Sequence, residues 1–353
     1  MHIVHVDRQH SWTGQTRRVH FVARLLHRRG DRVTVIAQPG SELARRSRAD
    51  GIRVVELPMR GPALYPSMLR AAWHLRGEAV DAIHCHGGRD RALAFAVARL
   101  LGIPHVLRTK HNHTPPRDRD SVRKYQACAH IDTVSEYVRG LLVEAGVSPD
   151  RVETIPDAVD LDAFAPRPRD PALMRALGLD PDDVVIGNVS SLHARKGIED
   201  VLRAYARLRE GPFGARLKCL LAGKQWEQWL PLVRQLGIGG GVVFPGFRDD
   251  VPAIVSLFDV FVLMSRQEAL GTSVLEALAM ERPVVASNVG GLLESVTEQT
   301  GVRCQPGDVD AIARAIEGLL ADPERARRLG RAGRQRVAAH YSDRVLADRS
   351  LAI

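Results

Sequence analysis

No run of this chain approaches the roughly 20 apolar residues of a membrane-spanning helix, so the sequence offers no candidate span. Aromatic residues are scarce, 5% of 353. That argues against a nucleic-acid surface of basic residues interleaved with exposed rings, and no nucleic acid is expected as a partner. The four cysteines, Cys85, Cys128, Cys219 and Cys304, stand far apart without a CxxC pair. This spacing argues against structural disulfides and for a reducing cytoplasm. No GxGxxG follows the first strand signal and no GxxxxGK[ST] occurs, so the dinucleotide dehydrogenase and P-loop readings lose their main support. The start, Met1-His-Ile-Val-His-Val-Asp7, runs straight into a strand and lacks the features of a secretory signal.

What is present is an ordinary globular composition, 45% hydrophobic and 26% charged. The length is too great for one compact α/β domain and comfortable for two. The net charge of +9 is unevenly placed: residues 1–160 hold 25 Lys and Arg against 17 Asp and Glu, and residues 161–353 hold 25 against 24. Such asymmetry suggests that the first half faces something anionic. A generous general use of arginine explains the same numbers.

Strand and helix signals alternate throughout, which predicts parallel sheets covered on both faces. In the first half, strands are expected at His2–Val6, Arg32–Ala37, Arg53–Leu57, Ala82–His84, Pro104–Arg108, Ile131–Val134 and Arg151–Ile155. The helix after Gly14 is expected to carry Arg17, Arg18, Arg24, Arg28 and Arg29 on its polar side. That face, with Arg45, Arg46 and Arg48 of the next helix, suits either water or anionic head groups. The Pro-rich stretch Pro166-Arg-Pro-Arg-Asp-Pro171 reads as a joint. The expected domains are 1–163 and 164–340, with 341–353 as a segment returning to the first. The second half repeats the architecture, with residues 309–339 as Arg- and Ala-rich helix.

Ligands of such sheets sit outside the carboxyl ends of the strands. In the first half those positions are Trp12-Thr13-Gly14, His84-Cys85-His86 and Thr109-Lys110-His111. Gly14 lets a ligand approach the backbone. His84 and His86 share a face with Cys85 opposite, and His86 and His111 are candidates for a site. The bland reading is a strand-end histidine bonded to backbone. No metal is expected, because partner ligands lack a recognisable spacing.

The chain is organised around Met264–Pro283. Here the apolar strand Phe258-Asp-Val-Phe-Val-Leu263 feeds a loop, and a helix follows that Thr272 or Ser273 is expected to cap. A buried strand, a loop and a helix N-terminus make a place for an anion. Glu268 and Glu276 would repel phosphate and suit hydroxyls beside it, which suggests a sugar nucleotide. Arg195-Lys196-Gly197, after another strand, suits a diphosphate.

In combination these pieces resemble the retaining glycosyltransferases of the large family 4 type, bacterial surface-polysaccharide and lipopolysaccharide enzymes among them. The resemblance rests on Glu268-Ala-Leu-Gly-Thr-Ser-Val-Leu-Glu276, Pro283-Val-Val-Ala, Lys196-Gly197, Ile155-Pro-Asp-Ala-Val-Asp160, Thr133-Val-Ser-Glu136 and Phe244-Pro-Gly-Phe247. It covers nearly the whole chain. It implies a GT-B fold: α/β, two Rossmann-like domains with parallel sheets facing across a cleft, the first for the acceptor and the second for the donor.

The resemblance implies that Glu276 holds the ribose and Glu268 the donor sugar, while backbone N–H groups of Leu270, Gly271 and Thr272 face the diphosphate. Arg195 and Lys196 neutralise the leaving diphosphate, Gly14 closes over it, and His111 stands near the reacting sugar. Phe247 and Arg248 lie near the base. No cofactor is required and the nucleotide sugar, a UDP-, GDP- or ADP-sugar, is a substrate. No DxD metal motif stands in a donor loop; Asp160-Leu-Asp162 has the letters but sits at the joint. Three features depart from the family pattern: Thr13-Gly14 for a glycine pair, Ser190-Ser191 for Gly-Arg, and a short C-terminus.

The expectation is therefore a cytoplasmic enzyme, at the inner face of the membrane if the basic first half binds anionic lipid. It would move a sugar to a glycan or glycolipid acceptor such as lipopolysaccharide core, capsule or exopolysaccharide. Alternatives are a sugar-nucleotide 2-epimerase of similar fold and a basic nucleic-acid-binding protein.

Overall fold

The computed structural model describes residues 1–350, apart from the side chain of Arg89. The chain divides into two compact units, Met1–Asp157 together with the segment from Leu346, and Ala158–Val345. The division precedes the Pro-rich joint because Val159 N donates to Tyr341 O at 2.8 Å and Arg334 bonds to the carbonyls of Leu161 and Phe164. These bonds tie the linking stretch to the second unit.

The first unit is built on seven strands: β1 (His2–Asp7), β2 (Arg32–Ala37), β3 (Arg53–Glu56), β4 (Ala82–Cys85), β5 (His105–Lys110), β6 (His130–Thr133) and β7 (Val152–Thr154). They pair in the order β3-β2-β1-β4-β5-β6-β7, parallel throughout. The second unit has β8 (Val184–Val189), β9 (Leu217–Ala222), β10 (Val242–Val243), β11 (Val260–Leu263), β12 (Val284–Ser287) and β13 (Val302–Cys304). Their order is β10-β9-β8-β11-β12-β13, again parallel. Both units are Rossmann-like. The strands are apolar on both faces because helices cover both, as the complete burial of Val260, Phe261, Val262 and Leu263 shows.

Each sheet reverses its strand order once, between β1 and β4 and between β8 and β11. At such a switch point the two neighbouring loops leave in opposite directions and open a crevice at the carboxyl ends of the strands. The residues after β1, β4, β8 and β11 are thus the ones placed for a ligand.

Several expectations need correction. The helix expected over 309–339 is two, Val309–Ala321 and Pro323–His340. Asp322 interrupts it, its carboxylate accepting from Arg325 N, and Pro323 opens the next helix where its missing N–H costs nothing. A helix at Leu64–Leu75 was not foreseen; Gly61, Pro62 and Pro66 mask its start, although Ala71 and Leu75 are buried at helical spacing. Arg18 is not on a solvated face. It is 3% exposed and donates to Ile155 O, Asp157 and Asp132.

Candidate active site

In the second unit β8 ends at Val189 and the chain turns through Ser190–Gly197 before the helix Ile198–Leu208. Gly197 has φ +66°, and a Cβ there would stand 1.8 Å from Met264 O. Only glycine lets this turn press against the exit of β11. Arg266 N then donates to Arg195 O at 2.7 Å, so the two loops are joined by backbone as well as by contact. Leu192, fully buried, also takes a positive φ of 45°, held where the Trp229 indole and the Gln228 amide donate to its carbonyl.

This joining brings Lys196 to Glu268. Lys196 Nζ lies 2.5 Å from Glu268 Oε2, and Ser265 Oγ donates to the same oxygen at 3.1 Å. Their side chains are 18% and 14% exposed. The Glu268 loop is held from the far side: Gly291 N donates to Glu268 O, and Ser295 Oγ donates to Leu270 O. Arg195 is exposed beside the pair. Arg266 bonds to buried Asp200, which also accepts from Gly307 N.

The helix that follows spans Thr272–Ala279. Thr272 and Ser273 do not cap it, contrary to expectation. The N-cap is Gly271 at φ +86°, which has no side chain to offer. The left-handed turn and the Leu292 side chain, 2.4 Å from where a Cβ would sit, both require glycine. The first N–H groups therefore lack a side-chain cap and stand ready for an anion. Leu270 and Glu276 are buried and Thr272 is half-buried. Phe247 and Arg248 follow β10, farther along the sheet. Phe247 is 55% exposed with Lys224 4.9 Å above its ring, and Arg248 pairs with Asp250.

In the first unit Thr13 caps the helix Gly14–Arg28 through a reciprocal capping box with Thr16, so Gly14 is its first residue. Beneath that helix lies a polar layer that sequence reasoning did not foresee. His5 of β1 and His84 of β4 are register partners, and His86, two residues on, lies on their side of the sheet. His84 and His86 stack with centroids 4.4 Å apart. His5 Nδ1 lies 3.4 Å from His86 Nε2, and His86 Nδ1 lies 3.3 Å from His111 Nε2. His84 Nε2 bonds to Thr109, whose hydroxyl donates to Asp132.

Burial sets the charges of this layer. It lowers His5 to a pKa of about 3 and His84 to about 4, and it holds His86 and His111 well below the usual imidazole value. All four are neutral at pH 7. Burial also pulls Asp132 upward, but His130, His84 and Arg18 outweigh it and keep the carboxylate ionised. Burial raises Asp7 to about 6 and, with Asp7 nearby, Asp90 to about 7.

The model of the group 1 glycosyl transferases matches residues 170–336, and that of glycosyltransferase family 4 matches residues 12–163. A GDP-mannose-dependent alpha-(1-6)-phosphatidylinositol monomannoside mannosyltransferase of Mycobacterium tuberculosis is 31% identical over 93% of this chain and 90% of its own length. The chain belongs to this glycosyltransferase family. The 2-deoxystreptamine glucosyltransferase of Streptomyces kanamyceticus is 29% identical over 76% of the chain and 75% of its own length. The Anabaena protein HepE, solved with UDP and glucose, superposes with a TM-score of 0.88 at 18% identity, over 99% of this chain and 98% of its own. The glycosyltransferase thus has the GT-B fold, and membership sets aside the epimerase and nucleic-acid readings.

Proposed function

We propose that this glycosyltransferase is a retaining enzyme that moves a hexose from a nucleotide sugar to a hydroxyl of a glycan or glycolipid. The Lys196–Glu268 pair at the β8–β11 switch point, beside the uncapped helix at Gly271, carries this reading. Lys196 and Arg195 stabilise the departing diphosphate together with the N–H groups of Leu270, Gly271 and Thr272. With the diphosphate bound, Glu268 turns to the sugar hydroxyls, and Glu276 holds the ribose. Phe247 and Arg248 flank the base. Gly14 and His111 of the first unit are assigned to ligand binding. These cations take the place of a metal, and a leaving diphosphate oxygen accepts the acceptor's proton on the face where it departs.

GDP-mannose is the donor to try first, since the mannosyltransferase relative named above depends on it. That relative also favours a glycolipid acceptor over lipopolysaccharide core, capsule or exopolysaccharide. The experiment is a melting panel with GDP-, UDP- and ADP-sugars. A donor at 100 times its Kd adds about 2.7 kcal/mol. Transfer to a mannosylated phosphatidylinositol, with the product's anomeric configuration read by NMR, then tests retention. No shift with any donor, or an inverted product, would overturn the reading.

We also place the enzyme at the cytoplasmic face of the membrane. Tyr65, Leu69 and Trp73 recur every four residues along Leu64–Leu75 and are 72%, 65% and 57% exposed. Arg60, Arg70 and Arg76 are exposed around them, with Arg76 over the Trp73 ring at 4.9 Å. Aromatic and apolar groups rimmed by arginine suit the interface of an anionic bilayer.

A further inference from the structure

Within the first unit, the stretch from Pro116 to Gln126 and the end of the helix Glu136–Glu144 border a cleft of about 400 Å³. It is lined by Arg117, Arg119 and Arg123, all exposed, and by the apolar Val122 and Ala145. The Gln126 amide ties its two sides together by donating to Gly146 O at 3.2 Å.

Many arginines of this unit find carboxylates. Arg29 meets Asp31, Arg53 meets Glu78, and Arg45 and Arg46 share Glu42. The three of the cleft have no ion pair or hydrogen bond from their guanidinium groups among the described residues. The two acids nearest them in sequence are engaged otherwise. Asp118 caps the helix Arg119–Gln126 by accepting from Ser121 N at 2.7 Å, and Asp120 pairs with Lys124. Arg119 and Arg123, four residues apart, share one face of that helix, where like charges repel. Asp118 also lines the cleft, so three positive charges there face its single negative one. The repulsion gives the helix nothing in stability, and a bound anion would turn it into attraction.

We propose that this cleft is a binding site for a phosphomonoester, apart from the Lys196–Glu268 site of the second unit. The inference goes beyond the transfer reading and does not depend on it. A guanidinium is a planar fork of N–H donors that stays charged at physiological pH. A phosphomonoester offers three terminal oxygens and nearly two negative charges. That is one oxygen for each fork, where a phosphodiester has two. The volume falls in the range of about 300–1,000 Å³ usual for small-molecule sites. It therefore has room for the organic part of the ligand, to which Val122 and Ala145 give an apolar surface. A free phosphorylated polyol and a lipid whose head ends in a phosphomonoester both carry this chemistry.

Side-chain ¹H–¹⁵N spectra of arginine-labelled protein, assigned by single replacements, test the site directly and separate it from Arg195. The probes are glycerol 3-phosphate and vesicles of phosphatidylcholine with phosphatidic acid or, for comparison, phosphatidylglycerol. Arg117, Arg119 and Arg123 are expected to shift together with one Kd. Replacing Arg119→Gln and Arg123→Gln together should weaken binding about tenfold or more. The pair Arg119→Lys and Arg123→Lys keeps the charge and removes the forks, and should weaken it nearly as much. Arg28→Gln with Arg99→Gln, exposed positions outside the cleft, should change nothing. A preference for phosphatidic acid over phosphatidylglycerol that the glutamine pair abolishes would assign the lipid as source. Shifts with glycerol 3-phosphate and no such preference would assign the free phosphomonoester. Neither shifts nor preference would overturn the proposal. So would lysine-pair binding within about twofold of wild type, the mark of a merely basic surface.

Discussion

Lys196 and Glu268 stand 72 positions apart in sequence and 2.5 Å apart at their charged atoms. Their loops leave adjacent strands, and Ser265 holds the carboxylate that the ammonium meets. The pair neutralises itself in the free protein and keeps both groups ready for opposite parts of one ligand. Lys196→Ala is expected to lower kcat by about 10²–10³-fold, the usual cost of removing one preorganised group at a developing oxyanion. Glu268→Ala should do likewise. The double variant should lose less than the sum of the two, because each single change strands its partner. Steady-state kinetics with unchanged circular dichroism checks this; near wild-type turnover in either single variant would refute the assignment.

Gly197→Ala places a methyl against Met264 O in a left-handed turn. A loss of about 3 kcal/mol is expected, at the upper end for single substitutions. Donor binding should weaken as the two loops separate. Urea unfolding and calorimetric titration measure the two effects, and a stability within 0.5 kcal/mol of wild type, roughly the surface range, would contradict the close approach.

Acid should destabilise the first unit early. The folded-state pKa values of His5 and His84 lie below the unfolded value near 6.5, so the unfolded chain binds protons that the folded one refuses. Stability is full above pH 6.5 and is lost as pH falls toward about 3 to 4, by about 1.4 kcal/mol per pH unit for each such histidine. Asp7 and Asp90 act in the opposite sense. Their raised values, about 6 and about 7, give stability that is present below pH 4 and lost as pH rises to 7. Melting curves of wild type and His5→Gln between pH 7.5 and pH 5 separate the terms. The variant's melting temperature should fall less over that range, and an equal fall would argue against a buried neutral His5.

Replacing Tyr65, Leu69 and Trp73 together by serine should leave soluble-acceptor kinetics and melting unchanged, since all three are exposed. Sedimentation with phosphatidylglycerol vesicles is expected to drop at least tenfold, while phosphatidylcholine vesicles bind neither protein. Salt should weaken what remains, because roughly 1 kcal/mol per basic residue near the surface is screened. Equal binding by the variant would move the membrane contact elsewhere.

What was legible in the sequence was local. Lys196-Gly197 and the two glutamates lie in short segments between apolar strands, and both strands and motifs follow from neighbouring residues. That Lys196 meets Glu268 was not legible, because it depends on β8 pairing with β11 out of sequence order. His5 was overlooked for the same reason: only the β1–β4 register sets it beside His84. Arg18 was misplaced because an arginine on an otherwise basic helix defaults to water. Its burial depends on Asp132 and Asp157, which no helical periodicity reveals. Gly271 took the capping role expected of Thr272 because the turn needs a positive φ more than it needs a hydroxyl.

The segment from Leu346 belongs to the first unit, where Leu346 is buried and Arg349 donates to Thr154 O at 2.8 Å. On a ribosome this makes the order of completion differ from the order of synthesis. Seven strands of the first sheet emerge early, yet the edge at β7 receives this last contact only after the whole second unit has been made. A chain truncated before Leu346 would thus lose a piece of its beginning, and a fragment ending near Asp157 would be made with one flank uncovered.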